Sequence, residues 1–400
     1  MVVDDQDGTI LSHRVLVEGP ALALVERIAV DASGRVAVVT VARAQGPNVL
    51  VLSVEEPPAF EPVGLTLDGE PNSLAAAGKI ALVGSRTGSI AAIDLESRGL
   101  VARIDARSAM DPPGRRPEGF AFLDDGALAL VSFQKDDARG RSRGNRVALF
   151  RLPELELVAD LHLPRSMPEH HHPSDMREQG PGPEVIVPSG RSGAIAITCD
   201  LYGAVAIVDR AAIEAGRADG IVLLSAAVDE AYGSAFPDRV CRVERGDREL
   251  LVVFNAGAPG GGTIVEPASK RVVARFAAPH GLDTPTSFRG GSRVIAASPG
   301  KLKVRGASEI EKIGVPRPEL AILGLDDPAA PTLELVATPG DCWAIAPGDA
   351  DAERFVVVFH GTGGDRRISV YDLEERRFVA ERAASGAVER IAHRTGSTDR

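Results

Sequence analysis

PNSLAAAGKIALVGSRTGSIAAIDLESRGLVARIDA, residues 71–106, holds four short runs separated by turns. A polar–apolar entry, PNSLAA at Asn72, leads into the apolar run KIALVG (79–84). The turn SRTG precedes SIAAIDL (89–95), and ESRG precedes GLVARID (99–105). The runs are rich in Val, Ile and Ala and are bounded by Gly, Ser or Asp, the pattern of strands joined by tight turns. The middle two are almost continuously apolar, which suits strands covered on both faces.

The same pattern continues along the chain. RVAVVTVA (35–42), ALALVSF (127–133), RVALFRL (146–152), AIAITCDL (194–201), LLVVFNA (250–256) and RFVVVFHG (354–361) are further strand-like runs. The convincing helical segment is short, around AAIEAG (211–216). The entry recurs as VERIAV at Glu26, PEGFAF at Glu118, PEVIVP at Glu184, PDRVCR at Asp238, PTSFRG at Thr286 and, more loosely, GDCWAI at Asp341. With Asn72 the spacings are 46, 46, 66, 54, 48 and 55 residues. Seven units of four strands predict an all-β chain: a seven-bladed β-propeller of four-stranded antiparallel blades. A sandwich or a β-helix does not predict a four-strand period.

The expected blades are 20–69, 70–108, 115–165, 183–226, 237–280, 284–339 and 340–385, in one domain spanning 1–400. The tails 1–19 and 386–400 are available to close the ring. SHRVLVEGP (12–20) reads as a last strand, and GAVERIAH (386–393) echoes ALVERIAV (23–30).

The unit in 71–106 and 117–163 resembles the YVTN-repeat, lactonase-like family of seven-bladed propellers. The literal YVTN tetrapeptide is absent, with VSFQ (131–134) and VVFH (357–360) in its place. The resemblance implies the fold. Such propellers range from sugar-lactone hydrolases to non-catalytic scaffolds, and no catalytic motif carries over to this chain residue by residue.

Composition narrows the function classes. Lys and Arg number 45 against 56 Asp and Glu, a formal charge of −11. That balance, with 4% aromatic residues, argues against non-specific nucleic-acid binding, which needs cationic surface and stacking platforms. No apolar run reaches the roughly 18 residues of a membrane span. The acidic N-terminus MVVDDQDGTI lacks the basic and apolar stretches of a signal peptide. A cytoplasmic protein, monomeric or weakly oligomeric, is the expectation; secretion stays open if a leader was removed. Three cysteines, Cys199, Cys241 and Cys342, cannot all pair. Cys342, beside Trp343 at a blade entry, is expected to be the most accessible.

In a propeller the first strand of each unit lines the channel, and the connections into it emerge at one mouth. Five histidines map to that face. His170, His171 and His172 lie in MPEHHHPSD, His280 lies in APHGLDTP, and His360 lies in VVFHG. With Glu169 or Asp175 they form a set suited to a divalent transition metal, Zn, Fe, Cu or Ni. The alternative is a solvated loop unconnected to the other two histidines.

The entries form a second constellation: Glu26, Arg27, Asn72, Arg116, Glu118, Glu184, Asp238, Arg239, Thr286 and Asp341. Its plain reading is channel solvation. Its functional reading makes Glu118 and Glu184 proton-transfer groups, with Arg116 or Arg239 clamping a substrate carboxylate. The Gly-rich NAGAPGGGT (255–263) joins two strands and opens no helix, so it reads as a loop. KDDARGRSRGN (135–145) and GKLKVRGASEIEKIGVPRP (300–318) are basic islands in an acidic chain.

Two expectations follow. The first is an enzyme of hydrolase, lyase or isomerase type, acting on a small polar molecule at the channel mouth, with metal assistance through the histidines. The second is a non-catalytic propeller that presents its loop face to a protein partner, docking through the basic islands.

Overall fold

The computed structural model describes residues 2–3, 10–12, 24–30, 36–42, 47–53, 63–111, 114–135, 143–165, 180–228, 235–257, 260–298, 301–305, 310–314, 319–347, 354–362 and 365–383. Among these, seven four-stranded antiparallel sheets follow one another along the chain. Their first strands are Leu24–Val30, Pro71–Ala77, Arg115–Leu123, Pro183–Pro188, Pro237–Arg245, Asp283–Phe288 and Asp341–Pro347. Each sheet is ordered from its first strand to its fourth, and each first strand touches the first strand of the next sheet. The chain is a seven-bladed β-propeller.

Burial explains the composition. In blade two the middle strands Ile80–Ser85 and Ser89–Asp94 are buried almost throughout, while the outer strand Gly99–Asp105 is largely exposed. A middle strand packs a neighbouring blade on each face, so both side-chain sets must be small or β-branched. The core therefore lies between blades. Leu130, Val147 and Leu149 of blade three pack with Ile195, Ile197 and Val208 of blade four. Val252 and Ile264 of blade five pack with Val294 and Leu323 of blade six. Burying each such side chain contributes about 1.5–3 kcal/mol.

The acidic residue that often ends the third strand caps the following turn. Asp94 accepts from the Ser97 amide at 2.6 Å and from its hydroxyl at 2.7 Å. Asp372 accepts from the Glu374 and Glu375 amides at 2.8 and 3.1 Å. Carboxylates satisfy turn amides in this way where a neutral side chain would do so less strongly. The short helix of blade four covers Arg210–Glu214, and a second helical turn covers Ala106–Ala109.

Strand direction sorts the connections. Those from second to third strand, and from fourth strand to the next blade, leave one face; the remaining turns leave the other. Both basic inserts leave the entry face. The first lies between Leu128–Lys135 and Arg143–Arg151 of blade three. The second lies between Arg293–Ala297 and Glu319–Gly324 of blade six, and contains its own hairpin of Lys301–Arg305 paired with Ile310–Gly314. Near the N-terminus, Val2–Val3 pairs with Ile10–Ser12, and Ile10–Ser12 lies beside the outermost strand of blade seven, Arg377–Ala383. Of the segments expected to close the ring, 13–20 and 386–393 lie outside the described residues.

Candidate functional site

All seven first strands break register with the second strand near their start. The extra residue falls at Glu26, Asn72, Glu118–Gly119, Glu184–Val185, Asp238, Thr284–Pro285 and Trp343. A β-bulge at this point bends the strand and re-aims a side chain. Five of the seven bulges therefore fall on the polar residue that opens the sequence repeat. In the last two blades the expected Thr286 and Asp341 are two residues off this position. Thr286 is paired with Ile295 and Asp341 with Gly361.

The bulged residues meet across blades. Asn72 donates through Nδ2 to Glu118 Oε2 at 2.7 Å and to the Pro117 carbonyl at 3.0 Å. Arg116 Nε reaches the same Glu118 oxygen at 3.0 Å. The Ser132 hydroxyl donates to the Glu184 carbonyl at 2.5 Å, and Gln134 Nε2 donates to the Glu184 carboxylate. At Gly119 blades three and four approach closely: a Cβ there would stand 2.0 Å from the Glu184 carbonyl oxygen. No side chain other than hydrogen fits at this position.

Arg239 gathers the rest. Its Nη1 lies 3.0 Å from Asp238 Oδ1, and its Nε lies 2.8 Å from Asp283 Oδ1 in the next blade. Burial opposes its charge, but Asp238, Asp283, Glu184 and Glu118 outweigh that cost and hold it above its ordinary value. One guanidinium thus joins carboxylates of blades five and six and lies in the field of those of blades three and four. The sequence reading missed Asp283 and Gln134. Asp283 had a signal: 46 residues on from Asp238 lies Thr284, its immediate neighbour. Gln134 ends a second strand and carries no repeat mark.

Glu118, Glu184, Arg116 and Arg239 are thus brought to one end of the ring, and each is engaged by another blade residue. Glu26 and Arg27 occupy the equivalent strand of blade one. Through Glu118, Glu184 and Arg239 these bonds join neighbouring blades.

The histidine set is not assembled in the described residues. His360 lies within blade seven, 1% exposed, with Nε2 2.7 Å from the Ser369 hydroxyl and its ring tilted against Phe378. That is a packed, hydrogen-bonded core histidine, contrary to the expected ligand at the mouth. His280 is half-buried, and its carbonyl oxygen lies where a side chain on Gly260 would stand. This close backbone approach explains the glycine, which opens the third strand of blade five, Gly260–Glu266, where a loop over 255–263 was expected. Among the described residues no three of His, Cys, Asp and Glu converge as a metal-binding group. His170, His171, His172, Glu169 and Asp175 lie outside the described residues.

The cysteine expectation is corrected as well. Cys342 and Cys199 are fully buried, and Cys241 is buried. Burial pushes the Cys199 and Cys241 thiols up to about 12 and Cys342 higher still. At neutral pH all three are packed thiols without thiolate reactivity.

Comparison with known proteins shows the fold and no more. No protein-family description matches the chain, and no curated protein matches it. Among solved structures, the Dos1 propeller aligns at TM-score 0.60 and 14% identity, over 92% of this chain and 87% of that one. The RRP9 WD40 repeats align at 0.56 and 12% identity, over 88% and 90%. BamB from Moraxella catarrhalis aligns at 0.50 and 12% identity, over 86% and 79%. All are β-propellers or align as such. At these identities the likeness extends to architecture, which hosts many unrelated functions.

Proposed function

We propose that this protein is a non-catalytic propeller scaffold that binds a protein partner of acidic surface through the face bearing its blade entries. One observation carries this reading. Both basic inserts, 135–145 and 300–318, rise from second-to-third-strand connections and so leave the same face of an acidic chain. Loops on a rigid scaffold can vary without cost to the core, and basic islands there steer an acidic partner.

The chemistry at the ring's end agrees. Glu118, Glu184 and Arg239 are engaged in inter-blade bonds and Arg116 bonds Glu118 within its own blade, which suits a frame better than a reaction centre. The buried cysteines add no nucleophile. A small-molecule hydrolase, lyase or isomerase therefore has less behind it, and the resemblance to YVTN-repeat, lactonase-like propellers is compatible with a scaffold. The WD40 propellers among the structural likenesses share the frame such a scaffold needs.

The test replaces 136–142 and 300–318 separately with short Gly–Ser linkers and compares captured proteins by cross-linking mass spectrometry. A control shortens 267–270, a turn on the opposite face. Proteins held by the parent and the control, and lost from either insert variant, support the reading. Identical captured sets from all four proteins would overturn it.

A further inference from the structure

A second site lies on the opposite face, and its case does not rest on the loop-face reading. Between blades six and seven is a cleft of about 330 Å³. Small-ligand sites begin at roughly this size, about 300 Å³. Ile322 of blade six and Leu373 of blade seven line part of it, and three guanidinium groups border it: Arg289, Arg293 and Arg376. Arg289 and Arg293 flank the turn between the first and second strands of blade six. Arg376 lies in the turn before the last strand of blade seven.

The cations are unevenly committed. Arg376 is closely paired with Glu334, and Arg289 Nη2 stands 3.7 Å from Glu374 Oε1. The Arg293 side chain makes no hydrogen bond or ion pair among the described residues, although it borders the cleft. Tyr371 also lines the cleft, is 1% exposed, and its hydroxyl has no hydrogen-bond partner among the described residues. Burial pushes that phenol up, Glu334 adds to the effect and Arg376 opposes it, so it stays protonated and able to donate at neutral pH. Three arginines against two glutamates leave the cleft one positive charge in excess, and the excess is on the arginine that has no partner among the described residues.

We propose that this cleft binds a small molecule through a compact oxyanion, a phosphate or carboxylate group, received by Arg293 with the Tyr371 hydroxyl as second donor. A guanidinium presents a planar fork of donors that matches either oxyanion in bidentate fashion. Arg289 and Arg376, each already sharing charge with a glutamate, form the rim that keeps the local potential positive. The apolar lining at Ile322 and Leu373 gives the remainder of a small ligand a surface to cover.

Isothermal titration calorimetry on the full chain, with inorganic phosphate in one series and malonate in another, tests this. Sodium chloride holds ionic strength constant throughout. Saturable one-to-one binding of at least one anion is expected, with the two series separating phosphate from carboxylate preference. Arg293→Gln should weaken that binding at least about tenfold. Its melting temperature without ligand should match the parent, because the side chain makes no hydrogen bond or ion pair among the described residues. Arg377→Gln, one residue beyond the lining Arg376, should bind within about twofold of the parent. No saturable heat from either anion would overturn the proposal. So would equal affinity in Arg293→Gln, or an equal loss in Arg377→Gln, which would mark diffuse charge rather than a site.

Discussion

The side-chain amide of Asn72 donates to the Glu118 carboxylate over 2.7 Å, and 46 residues separate the two. That distance is one repeat, so each is the other's equivalent in the adjoining blade, and both stand on the bulge of a first strand. The repeat's polar mark is therefore a blade-to-blade bond. Asn72 is 7% exposed and also donates to the Pro117 carbonyl. Asn72→Ala should cost about 1–2 kcal/mol in urea unfolding, the loss of a buried donor to a charged acceptor. Asn72→Asp should cost more than Asn72→Ala, because a second carboxylate would face Glu118. If the aspartate variant matched the parent's unfolding midpoint, this bond would have no structural role.

The period was readable because blade neighbours repeat the same demands: small apolar middle strands, a polar bulge in five blades, and in several an acidic turn cap. The ring end was readable only in part. Residues such as Glu118, Glu184 and Arg239 follow the repeat and were found. Asp283 sits where four other blades carry proline, and Gln134 sits on a different strand, so neither shares a pattern with its partners. His360 misled because sequence places it near the mouth by position alone. Its ring direction is set by Ser369 and Phe378, on the third and fourth strands of its own blade. Cys342 misled for the same reason, since a blade entry borders the channel on one side and the packed interior on the other.

The three thiols give a direct check on that interior. With Cys199, Cys241 and Cys342 all buried and their thiols pushed up by burial, native protein should resist Ellman's reagent at pH 8. Denatured protein should release three equivalents. Rapid reaction of one native thiol, lost in Cys342→Ser, would restore the sequence expectation that Cys342 is accessible.

Asp372 makes acid stability measurable at one turn. Its side chain is 1% exposed and is held by Arg354 Nε at 2.9 Å and by two turn amides. Burial pushes its carboxyl up, but Arg354 and the amides more than reverse this and leave it below its ordinary value. A depressed folded-state pKa adds stability above the unfolded value of about 3.9, and that stability is lost as pH falls through the folded value. Asp372→Asn should therefore cost about 1–2 kcal/mol at pH 7, at the modest end because Arg354 keeps contact with water. The deficit should shrink below pH 4. A deficit unchanged from pH 7 to pH 3 would mean the charge contributes nothing there.

Arg239 is the position where one substitution should reach furthest. Its guanidinium touches Asp238 and Asp283 and lies in the field of Glu184 and Glu118, so removing it leaves the two aspartates without this cation in a strongly acidic neighbourhood. Breaking such a pair by deleting one partner costs about 3–5 kcal/mol, because the surviving charges stay buried. Arg239→Met should fall in that range by chemical denaturation. Arg239→Lys should lose less, since it keeps the charge and gives up the fork that reaches both aspartates. Adding Asp283→Asn to Arg239→Met should recover part of the loss, because one of the stranded charges is gone and the two sites share one network. If Arg239→Met proves too unstable to purify, Arg239→Lys with and without Asp283→Asn reads the same coupling with opposite sign, the second change now removing a partner. Strict additivity in both pairs would show that Arg239 and Asp283 act independently and that the guanidinium does not bind these blades together.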